Sequence, residues 1–222
     1  AGTCGDRRGD SHTTVTSTGD LDVIERRGSL RVLLRNNASS YFLYRGVQQG
    51  FDYELMREFA KEHGLRIDVV IPANASDVIP WLLAGKADVI ATEMTIDDAR
   101  RAQIAFSSPY LFTDEVLVQR AHDPPVKSVA DLAGRTIAVR RSSSYRATLD
   151  ALAAKVPALH VEDAPEDQET EQLIERVARG ELPMTVSDRT IADLEIRAHP
   201  GAKTTLVMKP HDTIAFGVRK EN

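Results

Sequence analysis

The sequence predicts an α/β protein of two similar lobes, each a mostly parallel sheet flanked by helices. An internal repeat is the first reason. Residues 85–93 (GKADVIATE) and 180–188 (GELPMTVSD) each run from a helix-ending glycine to an acidic residue eight positions later. Residues 28–35 (GSLRVLLR) and 134–141 (GRTIAVRR) repeat each other in the same order upstream. The second reason is that apolar runs alternate with helical patterns, which is typical of parallel sheets.

Two such lobes would enclose a cleft between the carboxyl ends of their strands, where open α/β sheets bind ligands. Glu93 would line one side of this cleft and Asp188 the other. The alternative is that both glycines are ordinary helix stop signals and that the match between the two segments is accidental.

The first lobe begins near Asp20, where a polar tail of residues 1–19 ends. The helix predicted at 52–63 is amphipathic and stops at Gly64. The other predicted elements of this lobe are strands at 30–35, 66–71, 87–92 and 115–120, and short helices at 76–84 and 97–103.

The sequence HDPP at residues 122–125 is the clearest break in the chain and leads into the second lobe. Its predicted elements are strands at 136–139, 159–162 and 184–187, helices at 144–155, 169–179 and 189–197, and late strands at 204–208 and 213–219. The predicted division assigns residues 20–118 and 207–222 to lobe 1 and residues 119–206 to lobe 2.

Composition excludes several classes of function. The net charge of −5 argues against broad nucleic-acid binding, which requires a basic face. The apolar runs are shorter than the roughly 18 residues that span a bilayer. A single cysteine cannot form an internal disulfide or a multi-cysteine zinc site. The six histidines lack paired-ligand spacing, so we expect no metal and no cofactor.

Cys4 lies near the start of the polar tail, in the sequence AGTCGD. The small residues before it resemble the end of a bacterial lipoprotein signal, whose cysteine becomes the lipidated N-terminus. Cys4 is therefore the predicted lipidation residue, although Thr3 stands where glycine or alanine is more usual. The alternative is an unmodified cysteine in a disordered tail.

Several segments resemble the periplasmic solute-binding proteins of the polar amino-acid class. They are residues 50–55 (GFDYEL), 94–100 (MTIDDAR), 104–110 (IAFSSPY), 128–134 (SVADLAG) and 215–220 (AFGVRK). The resemblance extends over about residues 20–222. It implies the two-lobed fold of these proteins, with a two-strand hinge near residues 116–120 and 206–209 and a ligand held between the lobes.

The resemblance also implies a biological setting. The protein would be a monomer in the periplasm or outside the cell that binds an amino acid or a related amino-carboxylate. It would be held at the membrane only through a lipid anchor. Its partner would be an ABC-type permease or a covalently attached C-terminal domain. Residues 36–41 and 51–55 look most like the N-terminal sensing domain of membrane-bound lytic transglycosylases. The ligand-sensing domain of a lytic transglycosylase or of a receptor is therefore the alternative to a binding protein for ABC-type uptake or sensing. The sequence ends where the family has a further helix.

Arg100 is the residue that the resemblance assigns to the ligand carboxylate, with Thr95 as a hydroxyl donor to the same group. A guanidinium suits this role because it binds a planar anion with two parallel hydrogen bonds. The alternative for Arg100 is a solvated helix charge, since Arg101 lies beside it.

Ser143 and Ser144 match positions that meet the carboxylate at a helix start, and helix N-termini attract anions. Asp188 matches the acidic residue that binds the ligand amine. A helix-capping role is the alternative for one of the serines and for Asp188.

The chain departs from the family at three of its predicted site residues, namely Glu93, Arg141 and Tyr41. Glu93 replaces a glycine or serine, so it would favour a cationic ligand or pair with Arg35, Arg100 or Arg141. Tyr41 and Phe42 would replace an aromatic wall that is missing at Ala75. We assign no catalytic residues. A less favoured interpretation, by analogy of fold, is a cyclohexadienyl dehydratase-like enzyme with Glu93 as general acid.

Overall fold

The computed structural model describes residues 16–221, which adopt a two-lobed α/β fold, so the predicted fold class is confirmed. Cys4 lies outside the described residues. The helices are α1 (Leu21–Arg27), α2 (Phe51–Glu62), α3 (Val78–Leu83), α4 (Asp98–Arg101), α5 (Ser144–Ala153), α6 (Thr170–Ala178) and α7 (Arg189–Ala198). The strands are β1 (Ser29–Leu33), β2 (Phe42–Tyr44), β3 (Val47–Gln49), β4 (Arg66–Val70), β5 (Val89–Thr95), β6 (Ala105–Phe106), β7 (Leu111–Arg120), β8 (Thr136–Arg140), β9 (His160–Ala164), β10 (Met184–Asp188) and β11 (Ala202–Val218).

Strand β1 is the centre of the first lobe. It pairs in parallel with β4 on one side and β5 on the other, and all five of its residues are buried. Consecutive strand residues face opposite sides of a sheet. Val32 accordingly packs with Met56 of α2, whereas Leu33 packs with Leu82 of α3. Helices cover both faces, which is why all five residues are buried, the polar Ser29 and Arg31 included.

The second lobe repeats this arrangement around β8, which pairs in parallel with β9. Ile137 of β8 belongs to one core cluster with Leu149 of α5, and Ala138 belongs to another with Ile174 of α6. The next strand, β10, lies antiparallel to β7. Both lobes therefore direct the carboxyl ends of their central strands toward the space between them.

Strands β7 and β11 connect the two lobes as an antiparallel pair. Strand β7 also pairs with β10 of the second lobe, and β11 also pairs with β5 of the first, which gives the order β10-β7-β11-β5-β1-β4. One sheet thus continues through both lobes. The predicted lobe boundaries, after Val118 and before Val207, fall inside these two strands and remain predictions.

Several features differ from the predicted elements, among them the short strand β6, which was not predicted. The two late strands are one strand, β11, because register shifts around Lys209 and a positive φ of 61° at His211 allow pairing to continue past Pro210. Helix α1 and the β2–β3 hairpin were not predicted. The hairpin turns at Arg45 and Gly46, which have φ values of 50° and 80°. Such a turn favours asparagine or aspartate before the glycine, so Arg45 in that position did not predict a hairpin.

Gly50 fixes the start of α2 beside the cleft. Its φ is 136°, and a Cβ atom here would lie 2.2 Å from the carbonyl oxygen of Ser40. The backbone is this close because Phe51 N–H donates to Ser39 O at 2.7 Å and Tyr53 N–H donates to Ser40 O at 3.2 Å. Only glycine fits this junction without displacement of the segment that carries Ser39.

Gly50→Ala should therefore lower the free energy of unfolding by about 3 kcal/mol, through an unfavourable φ and a backbone clash. Gly64→Ala is the matched control, because Gly64 has a φ of 64° but a Cβ atom would meet nothing within 4 Å. We expect that control to cost about 1 kcal/mol. Urea denaturation followed by circular dichroism measures both, and equal losses would contradict the proposed clash.

Candidate ligand-binding cleft

A cavity of about 150 Å³ lies between the two lobes. The ends of β1 and β5 border it from the first lobe, and the ends of β8 and β10 with the starts of α5 and α6 border it from the second. Six of the eight sequence-predicted ligand residues line it, namely Glu93, Thr95, Arg100, Ser143, Ser144 and Asp188.

Arg100 is held in a fixed orientation at the first-lobe wall. Its guanidinium pairs with Asp97 at 3.3 Å, and it donates to Thr95 O at 2.8 Å. It also reaches across the cleft to donate to Ser142 O at 3.3 Å. Burial lowers the pKa of Arg100, but a guanidinium stays charged in proteins. Arg101, the next residue, is exposed. The solvated helix charge that was the alternative for Arg100 is therefore found at Arg101.

The N-terminus of α5 faces Arg100 from the second lobe. Ser143 precedes the helix without a side-chain cap, and its hydroxyl donates instead to Arg140 O at 2.8 Å. Ser144 donates to the hydroxyl of Thr95 at 3.2 Å, a contact between the lobes. Helix N–H groups and a guanidinium therefore converge here, and both favour an anion.

Asp188 ends β10 and is 4 % exposed. Its N–H donates to the hydroxyl of Tyr145 at 3.0 Å, whereas its Oδ1 atom is buried without a hydrogen-bond partner. Burial, and next the charge of Glu93, raise its pKa to about 8. It makes no side-chain cap to α7, so the capping alternative is not observed.

Glu93 lies within β5 but has a φ of 48°. This conformation costs a residue other than glycine on the order of 1–3 kcal/mol. Its N–H donates to buried Asp52 at 2.9 Å, and its carboxylate accepts from Ser39 at 2.6 Å. Burial raises the pKa of Glu93. Asp52 also accepts from Tyr110 at 2.6 Å, and burial followed by the charge of Glu93 raises the pKa of Asp52 to about 7.

Arg141 and Tyr41 do not line the cavity. The Arg141 side chain is 74 % exposed and pairs with Asp163 at 2.5 Å. Tyr41 belongs to the first-lobe core, where its ring centre lies 5.4 Å from that of Tyr53. It therefore cannot replace the aromatic wall that is missing at Ala75, which lines the cavity.

An ion pair across the cleft was missed by the sequence analysis. Glu169, which precedes α6, binds Arg35 of the first lobe at 2.5 Å and lies 3.8 Å from Arg140 of the second. The repeat paired Arg35 with Arg141 instead of Arg140. Because Arg35 binds Glu169, the predicted alternative of a Glu93–Arg35 pair is not observed.

The lobes make direct contact around the cavity. Besides the contacts of Arg100, Ser144 and Glu169, the N–H of Ala75 donates to Glu166 O at 2.8 Å. The cavity is therefore enclosed by a closed arrangement of the lobes. Chemically it offers an anion-binding wall at Arg100 and the start of α5, and an acidic wall at Asp188 and Glu93.

Known proteins resemble this chain in both sequence and fold. The family model of bacterial extracellular solute-binding proteins, family 3, matches residues 30–220. The chain is 34 % identical over 197 residues to membrane-bound lytic murein transglycosylase F of Desulfosudis oleivorans, covering 89 % of this chain and 43 % of that protein. For the enzyme of the same name from Aeromonas salmonicida the identity is 29 %, with coverage of 92 % and 41 %.

The chain thus spans about two fifths of the length of these relatives. Among solved structures, the arginine-bound form of truncated ArgBP from T. maritima is 30 % identical with a TM-score of 0.77, covering 90 % of this chain and 92 % of that one. Among residues 16–221, the helices are too short or too polar to cross a membrane. The chain belongs to family 3 of the bacterial extracellular solute-binding proteins.

Proposed function

We propose that this domain binds an amino acid, or a related small amino-carboxylate, between its lobes. The observation that carries the proposal is that a guanidinium and a buried carboxyl group lie on opposite sides of one cavity. Arg100 of the first lobe and Asp188 of the second both line it, and they interact electrostatically. A molecule with a carboxylate and an amine on one carbon would satisfy both. The arginine-bound state of the ArgBP relative supports the same ligand class.

The carboxylate would bind Arg100, the Thr95 hydroxyl and the N–H groups at the start of α5. The amine would bind Asp188, whose Oδ1 atom is buried without a partner. Both contacts are charge-assisted and partly shielded from water, which makes them stronger than neutral hydrogen bonds. Each lobe supplies part of the site, so we propose that ligand binding favours closure about β7 and β11.

The wider role is proposed to be ligand sensing within a longer protein at the bacterial cell envelope. The named relatives support this role, because they are lytic transglycosylases of which the chain matches two fifths. Supply of an amino acid to an ABC-type permease is the alternative, and a lipid anchor at Cys4 is compatible with either. Release of soluble murein fragments by the full-length protein, with and without ligand, distinguishes the two roles.

A measurement of lobe closure on ligand binding tests the binding proposal directly. A thermal-shift screen of the standard amino acids identifies a ligand, and small-angle scattering is then recorded with and without it. We expect the radius of gyration to fall on binding, because the closed arrangement brings Arg35 to Glu169 and Arg100 to Ser142 across the cleft. An unchanged scattering curve at saturating ligand would argue against a hinge mechanism.

Arg100→Ala should weaken binding of the identified amino acid by about 2–5 kcal/mol, because the ligand carboxylate would lose its charged partner in a buried site. Isothermal titration calorimetry measures the loss. Arg101→Ala is the matched control, since Arg101 is exposed on the same helix and should leave the affinity unchanged. If both variants bind as the parent protein does, the carboxylate is held elsewhere.

The ligand-free domain should lose stability as the pH rises. Burial raises the pKa of Asp188 to about 8 and that of Asp52 and Glu171 to about 7. In the unfolded chain these groups titrate near pH 4, so the folded chain holds more protons between about pH 4 and 8. The free energy of unfolding should therefore fall through this window, by at most about 1.4 kcal/mol per pH unit for each group.

Asp188→Asn isolates the contribution of one of these groups. Chemical denaturation at pH 5, 6, 7 and 8 should show a shallower decline for this variant than for the parent protein. Asp193→Asn, at an exposed position on α7, should leave the decline unchanged. Parallel pH profiles for Asp188→Asn and the parent would mean that Asp188 is ionised in the ligand-free cleft.

A further inference from the structure

A side pocket of about 50 Å³ adjoins the main cavity. Glu93, Glu171 and Ile191 line both spaces, so the side pocket is a continuation of the cleft. Ser39 and Glu195 also border it, together with the aliphatic side chain of Leu194. Three carboxylates from three elements, β5, α6 and α7, therefore meet around a space that would hold one small group.

Within residues 16–221, the arginines that line the cleft are bound to partners other than the carboxylates of this pocket. Arg35 is bound to Glu169, which Arg140 also approaches, and Arg100 is bound to Asp97, Thr95 and Ser142.

Glu171 is the least satisfied member of the side pocket, because its Oε1 atom is buried and makes no hydrogen bond. Glu93 accepts a hydrogen bond from Ser39, and Glu195 lies 3.5 Å from His199, the residue that follows α7. Burial, and next the charges of Glu169, Glu93 and Glu195, raise the pKa of Glu171 to about 7. A cation in the pocket would remove this penalty, since opposite charge stabilises the ionised carboxylates.

We propose that the side pocket is a subsite for a second cationic group of the ligand, with Glu171 as its specificity residue. The ligand class is then an amino acid whose side chain ends in an amine or guanidinium. This inference rests on the proposed function, because Arg100 and Asp188 hold the carboxylate and the first amine. Ile191 and Leu194 give the intervening methylene groups an apolar wall, and Ser39, which donates to Glu93, keeps lone pairs free to accept from the ligand.

Calorimetry with L-lysine and L-norleucine tests the subsite, because the two differ only by the terminal amine. The parent protein should bind L-lysine at least about ten-fold more tightly, as expected for a charged partner in a buried site. Glu171→Gln should weaken the binding of L-lysine more than that of L-norleucine, so that most of this preference is lost. Glu175→Gln is the matched control on the same helix, where Glu175 pairs with Arg179 at 2.5 Å, and it should keep the preference.

Glu93→Gln is the second variant, used if Glu171→Gln fails to fold, and it should also reduce the preference. Equal affinities of the parent protein for both amino acids, lost together in Arg100→Ala, would overturn the subsite and leave the proposed function intact. Binding of neither amino acid, nor of any other in the screen, would overturn both. A thermal shift with calcium chloride alone that Glu171→Gln abolishes would overturn the organic-cation subsite in favour of a metal site.

Discussion

The antiparallel pairing of β7 with β11 is the constraint on which the cleft depends. Along this pair, Thr95 lies opposite Ile214 of β11, and Asp188 lies opposite Glu115 of β7. Glu115 in turn lies opposite Lys209 of β11. The ends of β5 and β10 are therefore positioned by one continuous hydrogen-bonded ladder. A shift of register in this ladder would move the anion-binding and acidic walls apart, although both lobes could keep their cores.

The unusual property of the cleft is an excess of carboxylates that burial makes hard to ionise. Asp188, Glu93 and Glu171 face the enclosed space, and Asp52 lies directly behind Glu93. The positive φ of Glu93 adds backbone strain at the same position. Such costs are usual at binding sites, where the ligand rather than the fold supplies the compensating interaction. The same groups therefore lower the stability of the ligand-free protein, and in the proposed binding site they would determine which ligands it selects.

The sequence predicted the fold and most of the cleft, because local patterns specify both. Gly85 and Gly180 do end helices with φ values of 70° and 80°, and strands then carry Glu93 and Asp188 to the cavity. The second-lobe arginine assigned to the site, Arg141, follows the end of β8 and is exposed, whereas Arg140, the last residue of that strand, lines the cavity. Glu169 and Glu171 lie in a polar first turn that resembles any solvated helix start, and the partner of Glu169, Arg35, comes from the other lobe.

Two opposing electrostatic effects act on the closed arrangement. Glu169 draws the lobes together because it binds Arg35 across the cleft and lies near Arg140. Closure also brings Glu93 against Asp188 and Glu171, which repel one another when ionised. A ligand cation removes the repulsion without disturbing the Glu169 pair, so its binding energy acts on the difference between the open and closed states. Anionic ligands would add to the repulsion at this end of the cleft. In the proposed hinge mechanism, charge would therefore couple ligand selection to lobe closure.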